Sequence, residues 1–134
     1  AVVKALRDYG DALGIAFQIV DDMLDYGGSD TVIGKNTGDD FRERKLTLPL
    51  IKAVAKANPE ERAFWERVIE RNDQRDGDLA HAMVILQRHD AISASRSDAL
   101  VWAARASSAL DNLPVHPLRN TLSELANYIV SRVS

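Results

Sequence analysis

Three carboxylates, those of Asp21, Asp22 and Asp25, fall within about one turn of a predicted helix. At about 100° per residue, all three project within about 60° of Gln18. The opposite side of this helix carries the apolar side chains Ile19, Val20, Met23 and Leu24. Carboxylates three or four residues apart repel each other, by ~3 kcal/mol per pair at an effective dielectric constant near 20. This pattern of residues therefore predicts a helix with a buried apolar face and with an acidic face that a cation would stabilise.

The end of the helix adds to the repulsion. Gly27 and Gly28 follow the acidic residues and indicate a helix C-terminus. The helix dipole is negative there, so acids are disfavoured. A bound cation or protonation of one carboxyl group would relieve the repulsion. A solvated acidic face is the alternative, and the residues that follow favour the cation.

The next residues supply positive charge and exposed backbone amides. The segment Thr31–Asp40 is rich in glycine, asparagine and aspartate, which predicts an ordered loop. Lys35 lies between Gly34 and Asn36, where backbone amides can approach a phosphate closely. Residues 42–45 add three cations. These features predict a site for a metal-bound polyanion. Magnesium fits best because it takes one or two carboxylates and completes its shell with water and substrate phosphates.

The elements that would position these groups are all helical. Spacings of three and four residues predict an amphipathic opening helix with its apolar stripe on Leu6, Tyr9, Leu13, Phe17, Val20 and Leu24. Cap and proline signals predict helices from Thr47 to about Ala57 and from Asn58 to near Asn72. A polar turn over 73–77 follows, then helices around 79–86, over 93–113 and from Leu118 onward. With no strand pattern, the sequence predicts an all-α helical bundle.

Composition excludes several classes of protein. The 134 residues amount to one domain, with 46% hydrophobic and 28% charged residues. A net charge of −3 gives no support for nucleic-acid binding. No apolar run in these residues approaches the length of a membrane span, and we expect none of them to form a signal peptide. The absence of cysteine excludes disulfides and thiol chemistry. We expect a cytoplasmic protein.

The sequence resembles a known family over about 40 residues. The run Phe17–Tyr26, followed by Gly34-Lys35, Gly38-Asp39-Asp40 and Lys45–Pro49, is similar to the second aspartate-rich region of the trans-isoprenyl diphosphate synthases. The sequence from Asp39 to Pro49 most resembles that of long-chain bacterial octaprenyl and decaprenyl diphosphate synthases. Arg44 is a departure, because that family usually has glycine there.

The resemblance implies roles for the acidic residues. Asp21, Asp22 and Asp25 match the second DDxxD motif, which holds Mg²⁺ against the diphosphate of the allylic substrate. Asp21 would be the main metal ligand, and Asp25 would support the metal or its waters. Asp39 and Asp40 are expected to hold the loop and pair with cations.

The resemblance also implies roles for substrate-binding residues. Phe17 and Gln18 match a pair that faces the isoprenoid chain. Lys35 matches the lysine that binds the allylic diphosphate, and Lys45 matches a second basic residue beside the metal. Asp21, Asp22 and Lys35 are the expected catalytic residues, because they would neutralise the leaving diphosphate.

The implied reaction is Mg²⁺-dependent prenyl transfer. The allylic prenyl diphosphate would ionise, and isopentenyl diphosphate would attack the carbocation and lose a proton, giving a longer prenyl diphosphate. Such catalysis depends on stabilising charge and on positioning.

Family members are about twice as long, and no other DDxxD motif occurs in this chain. We therefore expect residues 1–134 to be the C-terminal half of one synthase domain, inactive alone and completed by the missing N-terminal half. The family also implies a homodimer. Two alternatives remain: a non-catalytic partner subunit of a prenyl diphosphate synthase, and a class I terpene cyclase.

Overall fold

The computed structural model describes residues 1–26 and 38–133. Within these ranges the chain forms α-helices and turns, and no strand. The α-helices are α1 (Val2–Asp25), α2 (Asp39–Arg42), α3 (Leu48–Ala55), α4 (Pro59–Trp65), α5 (Asp78–Arg88), α6 (Ala91–Ala109) and α7 (Pro117–Ser131). The all-α prediction is confirmed. None of the described helices is long and apolar enough to cross a membrane.

Two predicted elements differ from the structure. Asp39 and Asp40 were expected in a loop, but they begin the short helix α2, because the backbone turns inward at Gly38 with a φ of 86°. The helix expected from Asn58 to near Asn72 changes type: α4 ends at Trp65 and continues as a π turn, Glu66–Glu70. A π turn widens the helix by one residue, which a hydrophobic pattern does not reveal.

The buried stripe of α1 also differs from the predicted one. Leu6 and Phe17 are 44% and 48% exposed, whereas Tyr9 and Val20 are buried as expected. The buried stripe runs instead through Ala5, Tyr9, Ala12, Ala16, Ile19 and Met23. These residues also repeat at three and four, but three of them are alanines that lie beside the larger residues Leu6, Leu13 and Phe17. The prediction relied on bulky side chains alone, so it placed part of the buried stripe at positions that are exposed in the structure.

The chain divides into two compact units. The first comprises residues 1–21 and 96–134. Its core joins residues of α1, α6, the 3₁₀ turn Leu110–Asn112 that follows α6, and α7: Tyr9, Ala12, Ala106, Leu110 and Ala126. The Tyr9 hydroxyl donates a hydrogen bond of 2.8 Å to the Leu122 carbonyl oxygen. Burying the aromatic body of Tyr9 while its hydroxyl is bonded avoids the cost of an unsatisfied polar group.

The second unit comprises residues 22–95 and includes the end of α1 together with α2 to α5. Its core contains the aromatic residues Tyr26, Phe41, Phe64 and Trp65 with fully buried aliphatic residues such as Leu50. Phe41, at 2% exposure, anchors the short helix α2 in this core. Packing rather than length therefore stabilises α2, because an isolated helix of four residues would not form.

A capping box begins α4, as the sequence predicted. The Asn58 side chain accepts a hydrogen bond from the Glu61 amide at 2.8 Å, and the Glu61 carboxylate accepts one from the Asn58 amide at 2.9 Å. The same carboxylate is 2.6 Å from Arg88 Nη1 and 2.9 Å from His89 Nε2. Glu61 is 3% exposed, so one carboxylate joins the start of α4 to the end of α5.

These contacts predict a loss of stability in acid. The Asn58 amide, then His89 and Arg88, lower the pKa of Glu61 from 4.5 to about 2. Because the folded-state pKa lies below the unfolded one, the stabilisation is complete above pH 4.5 and is lost as the pH falls toward 2. Chemical denaturation should show Glu61→Gln lowering the free energy of unfolding by about 2 kcal/mol at pH 7, a value that allows for water around the half-exposed Arg88. The difference should shrink below pH 4.5, and a difference independent of pH would contradict this role.

Candidate metal and diphosphate site

The acidic end of α1 is fixed by backbone contacts with the residues before α2. The last turn of α1 tightens where the Tyr26 amide donates to the Met23 carbonyl at 3.1 Å. The Gly38 amide donates to the Asp25 carbonyl at 2.8 Å, which satisfies one of the carbonyls left open at a helix C-terminus. The predicted end of this helix near residue 27 is confirmed, since α1 ends at Asp25.

The Asp25 carboxylate is held by α2. Asp25 is 1% exposed, and its Oδ2 accepts a hydrogen bond of 3.0 Å from the Asp40 amide. Such a charge-assisted bond is stronger than one between neutral groups and fixes the side chain's orientation. The geometry requires Gly38, whose positive φ of 86° brings α2 back onto α1. A Cβ atom at Gly38 would lie 2.5 Å from Leu79 Cδ2, so any other residue would strain the left-handed backbone and displace the Leu79 side chain.

Tyr26 shows how much negative charge surrounds this turn. Burial raises the pKa of the Tyr26 phenol most strongly, the Thr47 hydroxyl lowers it, and the carboxylates of Asp25, Asp40 and Asp22 each raise it. Asp22, Asp25 and Asp40 are all buried. The acidic face of α1 is therefore not fully solvated, because the Asp22 and Asp25 carboxylates of the motif are shielded from water. Crowded and shielded carboxylates strengthen the expectation that a cation binds nearby.

Lys45 forms an ion pair with Asp40, one of the buried carboxylates near the end of α1. Lys45 Nζ lies 3.6 Å from Asp40 Oδ1 and 2.9 Å from Glu43 Oε2. Glu43 and Asp40 raise the pKa of Lys45, so the ammonium remains charged. The Lys45 amide donates to the Asp40 carbonyl at 2.9 Å, which fixes the backbone as well. The prediction that Asp39 and Asp40 pair with cations is confirmed, since Asp39 also lies 3.1 Å from Arg42.

The remaining predicted site residues differ in exposure. Asp21 is partly exposed on the last turns of α1, and Gln18 is exposed one turn before it. Phe17 is 48% exposed, as a side chain facing a substrate chain or a further part of the protein would be. Lys35 lies outside the described residues, as does the rest of the range 27–37. The roles of all these residues stay predictions.

The described residues do not by themselves complete a metal centre. Across residues 1–26 and 38–133, no three carboxylate, histidine or cysteine side chains converge as ligands of one ion. Magnesium nevertheless needs only one or two protein carboxylates when waters and phosphate oxygens fill its other positions. The donor set at the end of α1 consists of carboxylates and contains neither histidine nor cysteine, so it fits a hard cation.

Arg44 adopts the conformation that glycine would favour. Its φ is +60°, in the left-handed region where side chains other than glycine are disfavoured. Its amide donates to the Phe41 carbonyl at 3.0 Å, and its Nη1 donates to the Ile69 carbonyl at 3.3 Å. Glycine adopts this backbone conformation without strain, and in this chain the guanidinium contact stabilises the arginine.

Sequence reasoning missed two features of this site. The first is Gly38, whose turn allows α2 to meet α1; a glycine just before two aspartates was a signal that could have indicated it. The second is that the Asp40 backbone amide, rather than a side chain, holds Asp25. A backbone contact across fifteen residues leaves no pattern of residue types.

The chain is similar in sequence to known proteins. The family model described as "Polyprenyl synthetase" matches residues 1–86. The octaprenyl diphosphate synthase of Haemophilus influenzae is 37% identical over 129 residues, which cover 96% of this chain and 39% of that protein. The chain thus spans about two fifths of the length of such relatives.

Solved structures of other proteins are also similar to this chain. A decaprenyl diphosphate synthase from Rhodobacter capsulatus is 64% identical with a TM-score of 0.92, over 98% of this chain and 41% of that one. A polyprenyl synthase from Caulobacter crescentus, solved in complex with calcium and isoprenyl diphosphate, is 46% identical with a TM-score of 0.88, over 98% of this chain and 40% of that one.

Proposed function

This chain belongs to the polyprenyl synthetase family, and from that membership we propose that it forms part of a prenyltransferase. The reaction is the metal-dependent condensation of an allylic prenyl diphosphate with isopentenyl diphosphate. In this proposal residues 1–134 are the C-terminal half of a single synthase domain and carry its second aspartate-rich motif. The identity of 64% with a decaprenyl diphosphate synthase favours a long-chain product.

One observation carries the proposal: the Asp25 carboxylate is held by the Asp40 amide while Lys45 pairs with the Asp40 side chain. This arrangement brings fixed carboxylates and a charged ammonium to the same end of α1. Carboxylates hold a divalent cation and an ammonium binds phosphate oxygens, so the pair suits a metal-bound diphosphate.

Magnesium is the proposed ion. Asp21 would be its main ligand because it is the partly exposed acid of the motif, and Asp22 and Asp25 would support the ion or its waters. The ion would neutralise the diphosphate and so help the allylic carbon–oxygen bond to break. The Caulobacter crescentus enzyme, solved with calcium and isoprenyl diphosphate, supports a divalent cation in such a site.

The chain's own side chains would provide charge and position. Lys35 and Lys45 would bind the allylic diphosphate oxygens, which stabilises the charge that develops on the leaving group. Phe17 and Gln18 would face the isoprenoid chain. No nucleophilic side chain is required, because the double bond of isopentenyl diphosphate attacks the allylic carbon.

The partners follow from the same proposal. The N-terminal half of the synthase would supply the facing acids that complete the metal centre. We also propose a homodimer in the cytoplasm. Sedimentation of the full-length synthase tests the dimer, and fractionation of cells tests the location.

Replacing Lys35 should weaken substrate binding. In the full-length synthase, we expect Lys35→Ala to raise KM for the allylic diphosphate about tenfold or more, because one charge-assisted contact to phosphate is lost. Steady-state kinetics measure this, with Lys56→Ala as the control, since Lys56 is an exposed lysine at the end of α3. An unchanged KM would remove Lys35 from the site.

An assay of the full-length synthase tests the function itself. Labelled isopentenyl diphosphate and an allylic primer should give longer prenyl diphosphates only when Mg²⁺ is present. A chain that yields products only after a second, different subunit is added would instead be a non-catalytic partner. Cyclic hydrocarbon products would indicate a terpene cyclase.

A further inference from the structure

The polar turn over residues 73–77 contains one side chain that points back into the protein. Gln74 is half-buried, whereas its neighbours in this turn are exposed. Its Nε2 donates to the Phe41 carbonyl at 2.9 Å and to the Val68 carbonyl at 3.0 Å. Gln74 therefore joins α2, which contains Phe41, to the π turn, which contains Val68.

The turn that carries Gln74 is itself firmly held. Arg67, in the π turn, donates two hydrogen bonds of 2.9 Å to the Asp78 carboxylate and one of 2.8 Å to the Asp73 carbonyl. The Arg75 amide donates to the same Asp78 carboxylate at 2.7 Å. Gln74 thus reaches α2 from a backbone that is fixed on both sides.

The contact with α2 lies next to the candidate site. Phe41 directly follows Asp40, whose amide bonds to the Asp25 carboxylate. Arg44 makes a second tie between the same segment and the π turn, through the Ile69 carbonyl. The Val68 and Ile69 carbonyls therefore connect the π turn to the segment carrying Asp40 and Lys45, the first through Gln74 and the second through Arg44.

We infer that Gln74 is a positioning residue for the metal and diphosphate site, 49 positions after Asp25 in the chain. It holds α2 in the place where the Asp40 amide meets Asp25 and where Lys45 meets the Asp40 carboxylate. This inference rests on the proposed function, because it assigns a catalytic consequence to the contact. Gln74 itself touches neither the metal nor the substrate.

Replacing the amide by a side chain of similar size tests the inference in the full-length synthase. Gln74→Met keeps the volume and removes both hydrogen bonds. We expect the Mg²⁺ concentration for half-maximal activity and KM for the allylic diphosphate to rise about fivefold, because only one of the two lost hydrogen bonds, that to the Phe41 carbonyl, holds α2. At saturating Mg²⁺ and substrate, kcat should stay within about twofold. Gln87→Met is the matched control, because Gln87 is exposed on α5.

A purely structural role would give another result. Lower thermal stability with an unchanged Mg²⁺ requirement and unchanged KM would overturn the inference. Equal rises in Gln74→Met and Gln87→Met would overturn it too.

Hydrogen exchange separates this inference from the proposed function. Mass spectrometry of the full-length protein should show several-fold faster exchange in the peptide covering residues 38–46 in Gln74→Met, with no change in Gln87→Met. This measurement needs no turnover, so it remains decisive if the protein proves to catalyse another reaction. Unchanged exchange in that peptide would contradict the positioning role.

Discussion

Asp21→Ala should lower kcat/KM of the full-length synthase by about a thousandfold, because it removes the proposed main ligand of the metal that neutralises the leaving diphosphate. The fold should survive the change. Asp21 is partly exposed on α1, alanine favours helices, and the substitution removes repulsion from Asp25 one turn later. Steady-state kinetics at saturating Mg²⁺ and thermal unfolding measure the two effects separately.

Asp8→Ala is the matched control for Asp21→Ala. Asp8 lies on the same helix, is exposed, and pairs with Lys4 at 2.6 Å. An exposed pair of this kind contributes at most ~1 kcal/mol, and its loss should leave turnover unchanged. Retained Mg²⁺-dependent activity in Asp21→Ala would remove Asp21 from its proposed role.

A methyl group at Gly38 should destabilise the acidic end of the site. Gly38 has a φ of 86°, and an added Cβ would lie 2.5 Å and 2.7 Å from the two terminal carbons of Leu79. Gly38→Ala should therefore cost about 3 kcal/mol: about 1–2 from the left-handed backbone and the rest from the clash. Because Gly38 holds α2 against Asp25, activity at low Mg²⁺ should fall with stability.

Gly77 offers a control with the same backbone and no clash. Its φ is 88°, and an added Cβ would meet nothing within 4 Å. Gly77→Ala should cost only the backbone strain of about 1–2 kcal/mol. Denaturant unfolding of both variants isolates the contact with Leu79. Equal losses in the two variants would show that backbone strain alone accounts for the effect at Gly38.

The parts of the fold that could be predicted were those fixed by local chemistry. The capping box at Asn58 and Glu61 and the glycines after Asp25 defined helix ends within a few residues, because caps satisfy backbone groups nearby in the chain. The all-α class followed from spacings that only helices satisfy. The pairing of Asp39 and Asp40 with cations followed from charges close together in sequence.

The parts that could not be predicted depend on contacts between distant residues. Helix α2 exists because Phe41 is buried in the core of its unit. The burial of Asp22 and Asp25 depends on elements that pack over the end of α1. The π turn at Glu66–Glu70 and the reach of Gln74 to Phe41 are also consequences of packing. A family resemblance could suggest which residues matter, but it could not provide these contacts.

Calorimetry on the full-length synthase tests the central claim most directly: that the acidic turn ending α1 binds a metal ion and, through it, a prenyl diphosphate. The ligand would be an unreactive allylic thiodiphosphate, titrated with and without Mg²⁺ into the wild type and Asp21→Ala. We predict Mg²⁺-dependent binding by the wild type and binding at least tenfold weaker in the variant. Equally tight binding without Mg²⁺, or in Asp21→Ala, would contradict the claim.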